Sequence, residues 1–141
     1  MPLPNRLLIL GVPKAGKTTL SKHLSAEGRR LIPTDYLTVG ELVSWLDMPG
    51  PWIMEGVTLV RALMEWLDKH HFHPELRPAD TIIWMPDPKI TLTKGQQNMA
   101  AGLCTVWESV RLRCQFRGTK IESEEWVRGV GLAADGGEFV K

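Results

Sequence analysis

The sequence contains no apolar run approaching the roughly 18 residues that a membrane-spanning helix requires. It has almost no excess of either charge: 17 Lys plus Arg against 16 Asp plus Glu leave +1. That balance supplies no whole-molecule field for nucleic acid or for an acidic membrane surface. Cysteine is scarce as well, with only Cys104 and Cys114. On one helix, their ten-residue spacing corresponds to about 15 Å of rise, too far for a disulfide. Two free thiols fit a reducing compartment, so a cytoplasmic location is expected. The opening Met1-Pro2-Leu3-Pro4-Asn5-Arg6 lacks the layout of a secretion signal. No repeat, low-complexity tract or long linker divides the 141 residues, which predicts a single domain over 1–141.

What is present is an alternation of short apolar runs and amphipathic stretches. At 43% hydrophobic and 23% charged residues, the chain has the composition of a folded globular protein rather than a disordered one. Leu7-Leu8-Ile9-Leu10 reads as a strand buried on both faces of a parallel sheet. A weaker strand is predicted at 30–34, where Pro33 favours an edge or a strand end, and further strands at 52–54 and 81–85. Helices are predicted over 18–27 with Gly28 as C-terminal cap, 38–47, 58–69 and about 96–115. The last carries an apolar seam of Met99, Leu103, Val106, Val110 and Cys114. This pattern predicts a three-layer α/β/α fold around a mostly parallel sheet of four or five strands. A fifth strand is sought at 129–133 or 138–140, and a short helix at 123–128.

Gly11-Val12-Pro13-Lys14-Ala15-Gly16-Lys17-Thr18 matches the P-loop pattern G-x-x-x-x-G-K-[ST]. Ordinary glycine frequencies make a chance match in this length roughly a one-in-two-hundred event. The motif also lies between an apolar strand and an amphipathic helix, as its chemistry requires. Its glycines let backbone N–H groups face a phosphate chain, and the helix starting near Lys17 adds its positive end. Residues Gly11, Pro13, Lys14, Ala15, Gly16, Lys17, Thr18 and Thr19 are therefore the predicted nucleotide contacts. Lys17 is expected at the β- and γ-phosphates, Thr18 at Mg²⁺, and Thr19 at the α-phosphate.

Two acids fall at the carboxyl ends of strands, on the same edge as this loop: Asp35 and Glu55. One is suited to accept a proton from an attacking hydroxyl, the other to orient Mg²⁺. The competing structural roles are an N-cap for the following helix at Asp35, and a solvated loop acid at Glu55. The loop, Thr34-Asp35-Tyr36 and Met54-Glu55-Gly56 together resemble the P-loop kinases of small molecules and nucleotides, in particular uridine kinase-like, polynucleotide kinase-like and zeta-toxin-like enzymes. The resemblance covers roughly residues 6–86. It implies a P-loop NTPase fold and phosphoryl transfer from ATP–Mg²⁺ to a nucleoside, nucleotide or polynucleotide acceptor. It assigns Asp35 to the acceptor, Glu55 to Mg²⁺ or the acceptor, and arginines to the transferring phosphoryl group.

Arg111, Arg113 and Arg117 are the arginine candidates; the first two diverge by about 200° on a helix, which favours Arg117 near its end. Two other functional classes remain: an NTPase whose acceptor is water, and a non-catalytic nucleotide-binding module. His70-His71-Phe72-His73 has no cysteine or acid cluster to complete a metal site and reads as a helix end and loop. Trp45, Trp66 and Trp107 fit core faces. The segment holding Lys89 and Lys94 lies where such kinases place a mobile phosphate cover.

Overall fold

The computed structural model describes residues 4–25, 29–32 and 34–125. Strand β1 (Arg6–Gly11) pairs in parallel with β3 (Trp52–Glu55) on one side and β4 (Thr81–Met85) on the other. Strand β2 (Arg30–Ile32) lies outside β3, and β5 (Lys120–Ser123) outside β4. The order β2-β3-β1-β4-β5 is parallel throughout. Being central, β1 is apolar at every position from Leu7 to Leu10, and all four side chains are fully buried.

Alternation along the strands separates two cores. Leu8, Leu10, Trp52, Met54 and Ile82 face one side and pack against α2 (Val39–Leu46), α3 (Leu59–Lys69) and α4 (Lys94–Phe116). Leu7, Ile9, Ile53, Ile83 and Met85 face the other and pack against Leu20 and Leu24 of α1 (Lys17–Leu24). Helices thus cover both faces of an α/β sheet, compatible with three layers. On the larger side the rings of Trp84 and Trp107 stack with centroids 4.7 Å apart. Trp66 and Trp107 are buried there, as their spacing predicts.

Local chemistry starts two of these helices. Thr38 and Glu41 form a reciprocal capping box at α2, and Thr93 and Gln96 form another at α4. The Thr38 backbone N–H donated to the Glu41 side chain holds that carboxyl below its usual range. The N-cap of α2 is therefore Thr38, and Asp35 is left three residues upstream in an exposed turn.

The fifth strand differs from expectation. It is β5 at 120–123, with only Ile121 to mark it as apolar, because an edge strand with one covered face needs little more. Ser123 consequently ends a strand, and of the short helix expected at 123–128 Glu124 and Glu125 are helical among the described residues. The positions 129–133 and 138–140 lie outside the described residues, as do the Gly28 cap, Pro33 and residues 126–128. Among the described residues, no helix is long and apolar enough to cross a membrane.

Candidate functional site

The connection leaving β1 runs toward β2, whereas the one leaving β4 runs toward β5. A crevice opens between the carboxyl ends of two such strands, where ligands of open α/β sheets bind. The glycine-rich loop occupies this switch point. Val12 N–H donates to Met85 O at 3.1 Å and Lys89 N–H to Lys14 O at 2.7 Å, so both rims are pinned to the end of β4 and its following loop. Gly11 is required by close approach: a Cβ there would fall onto the Met85 carbonyl oxygen. Gly16 has φ 94° and Lys14 φ 63°, the left-handed turns that curl the loop before α1.

Behind the loop the Lys17 side chain is only 7% exposed, and its Nζ donates to Val12 O at 2.7 Å. Burial pushes this ammonium below the ordinary lysine range, and the neighbouring Glu55 carboxylate pulls partly the other way. One N–H is used on the loop carbonyl, leaving two donors for a ligand. Thr18 Oγ1 donates to Glu55 Oε1 at 3.1 Å. Glu55 is the last residue of β3 and half-buried, so it is a strand-end acid facing α1 rather than a loop acid in solvent. Two hard oxygens at that separation match adjacent corners of an octahedron with Mg–O of about 2.0–2.1 Å. Among the described residues no three His, Cys, Asp or Glu groups converge on a point where they could hold a metal ion.

Residues 13–19 of the loop, with Val57, Lys89, Ile90, Gln96 and Met99, line an open cavity of about 630 Å³. Pro13 and Ala15 are buried in its wall, while Lys14, Thr18 and Thr19 are exposed around it. A second groove of about 760 Å³ runs between α3 and α4 and shares Val57 and Met99 with the first. Arg61, in the first turn of α3, faces this groove. Neither Arg61 nor the shared walls carried a sequence signal, because only helix packing brings α3 and α4 together over the loop.

The strand-end segment beyond β2 is tied to the same edge. Thr34 Oγ1 donates to Glu55 O at 2.6 Å, and Gly56, at φ 147°, passes so near that a Cβ would lie 2.6 Å from that hydroxyl. Asp35 follows Thr34 directly, and its exposed carboxylate has no hydrogen bond or ion pair among the described residues.

Arg117 stands elsewhere. It is the C-cap of α4, about 30 Å along the helix from Gln96 in the cavity wall. Its guanidinium donates to His73 O and Leu76 O at 2.9 Å and to His70 O at 3.0 Å, over the Trp66 ring. These carbonyls follow α3 at the amino-terminal edge of the sheet, so the geometry does not support the phosphoryl-group role expected of Arg117. Arg111 pairs with Glu108, and Arg113 with Asp68 at 3.0 Å. The helix runs antiparallel to the strands and delivers its carboxyl end to the wrong edge. His70 contacts Asp47 and His73 contacts Glu75, which makes the histidine run a helix end with ordinary surface pairs. Cys104 is exposed and Cys114 buried on α4, where burial pushes the Cys114 thiol up to about 12 against the opposing pull of Arg117 and Arg113.

No family model, curated protein or solved structure matches the chain.

Proposed function

We propose that the protein is a small Mg²⁺-dependent P-loop kinase that transfers the γ-phosphoryl group of ATP to a hydroxyl or phosphate acceptor. The observation that carries this reading is the Lys17 ammonium held behind the Gly11–Thr18 loop, with Thr18 and Glu55 paired beside it at the switch point. A pocket that desolvates a cation yet leaves it two unused donors is prepared for an anion. The backbone N–H groups of residues 14–18 and the start of α1 would cradle the phosphates, with Lys17 bridging toward the γ-phosphate. Thr19, exposed in the cavity wall, would contact the α-phosphate.

Thr18 and Glu55 would hold Mg²⁺, which supplies neutralisation of phosphate charge when bound. In the transfer, the acceptor oxygen forms a bond to the γ-phosphorus as the bond to the β,γ-bridging oxygen breaks and ADP leaves. Asp35, on the same edge and without a partner among the described residues, orients the acceptor hydroxyl and takes its proton. Acceptors follow the resemblance to uridine kinase-like, polynucleotide kinase-like and zeta-toxin-like enzymes: nucleosides, nucleotides or a polynucleotide 5′-hydroxyl.

The test is transfer of the γ-phosphate from labelled ATP with Mg²⁺ to nucleosides, nucleoside monophosphates, a 5′-hydroxyl oligonucleotide and water. Lys17→Ala and Asp35→Ala are run beside the parent. The expected result is label on one acceptor class, lost in both variants. Free phosphate alone, indifferent to Asp35→Ala, would convert the reading to an NTPase. Binding of ATP through Lys17 with no turnover would leave a nucleotide-binding module.

A further inference from the structure

With the arginines of α4 committed elsewhere, the phosphate cavity takes its charge from lysines. Lys14, Lys17 and Lys89 line it. Lys89 differs from the other two in being tied at both ends. Its backbone N–H is bonded to Lys14 O at 2.7 Å, which fixes its Cα on the rim of the loop. Its side chain then crosses Gly16: Cγ and Cε lie 3.9 and 3.8 Å from where a Cβ of that glycine would stand. Beyond the glycine, Nζ pairs with Glu124 Oε2 at 2.9 Å, just after β5. A lysine whose stem already lies across the phosphate loop reaches the cavity by rotation of its outer bonds alone. Glu124 is the anion that holds it aside.

We propose that Lys89 and Glu124 form a charge clasp across the phosphate loop. On this view a bound polyphosphate takes the Lys89 ammonium from Glu124, and Lys89 becomes a phosphate ligand. The inference rests on the phosphate-binding reading of the loop and adds to it a residue and a competitor. Lys89 is about half exposed in the pair, so the clasp is weak enough to exchange. A triphosphate within hydrogen-bond reach offers several charged oxygens against one carboxylate, which favours the exchange. The step breaks one ion pair and forms another; no proton or covalent bond moves.

The test is calorimetric titration of the full chain with Mg²⁺–ATP and, separately, with inorganic tripolyphosphate, which removes any contribution from the base. Lys89→Met should weaken both by about fivefold and Lys89→Arg should restore affinity, since a cation–phosphate bond of this kind is charge-assisted. Glu124→Gln should tighten both by about threefold, and that gain should vanish in the Lys89→Met background. Parent-like affinity in Lys89→Met overturns the clasp, as does a Glu124→Gln gain that survives without Lys89. Binding that depends on Lys17 but ignores Lys89 removes the clasp and leaves the phosphate loop standing. Absence of binding in the parent removes both.

Discussion

At the amino-terminal edge of the sheet, Arg6, Arg77 and Arg117 are engaged by carbonyls and carboxylates. Asp80 accepts from the Arg6 backbone N–H and from Arg77 at 2.9 Å each, and Asp47 accepts from the Trp66 indole at 2.8 Å while facing Lys69 and His70. At the carboxyl-terminal edge the arrangement is reversed. Lys17 is buried with one protein acceptor, Asp35 has none among the described residues, and the Gly11–Thr18 loop contains two non-helical residues with positive φ. The first edge satisfies its polar groups and closes the ends of α2, α3 and α4. The second leaves donors available around a cavity. A polar group that the fold has already satisfied stabilises, whereas one that the fold has desolvated and left short of partners is available for a ligand.

This contrast predicts a graded set of outcomes. The largest effect is expected at Gly11, where alanine places a methyl group against the Met85 carbonyl and must push β1 from β4. Gly11→Ala should cost about 3 kcal/mol in denaturant unfolding and remove ATP binding together. A variant as stable as the parent would mean that the loop end is not clamped. Lys17→Met comes next and should separate the two properties. ATP binding should fall by roughly 30-fold, about 2 kcal/mol, through loss of a charge-assisted bond.

The pH dependence of unliganded stability carries the same signature. Because the native pKa of Lys17 lies below 10.5, the unfolded chain binds more protons within that window. Stability from this group is therefore lowest while it is charged and rises as pH climbs through the native value toward 10.5. Subtracting the unfolding free energies of Lys17→Met should remove that rise, and an unchanged slope would contradict a desolvated ammonium.

Arg117→Ala should do the opposite of Lys17→Met. It removes the donor for three carbonyls and the cover over Trp66, and should cost about 1.5 kcal/mol of stability. Transfer of label and ATP affinity should remain those of the parent at temperatures where the variant is folded. A selective loss of transfer would return Arg117 to the site. The smallest effect is expected at Gly102, inside α4 beside the groove, where an added Cβ meets nothing within 4 Å. Gly102→Ala should raise the melting free energy by about 0.5–1 kcal/mol through helix propensity alone. A destabilised variant would show that α4 packs more tightly there than the open space allows.

Most of the sheet was legible because buried parallel strands leave an uninterrupted apolar run, as Leu7–Leu10 and 81–85 do. β5 was not, since Lys120-Ile121-Glu122-Ser123 has a single apolar residue and owes its place to pairing with β4. The glycine-rich loop was legible residue by residue, because its backbone path demands glycine at Gly11 and Gly16 wherever it occurs. Glu55 was legible as a strand-end acid, while its contact with Thr18 required β3 and α1 to be seen together. Arg117 misled because its distance along the chain carries no information about which edge of the sheet the end of α4 reaches.

Local sequence therefore determined what short-range physics can encode: the strand–loop–helix of the glycine-rich motif, the capping boxes at Thr38 and Thr93, and the alternation that splits the core. Only the tertiary structure decided which side chains meet. Lys89 crosses Gly16 because β4 lies beside β1, and Glu124 reaches Lys89 because β5 lies beside β4. Those neighbours are separated by tens of residues in the chain, and their meeting depends on the strand order, which no short stretch of sequence specifies.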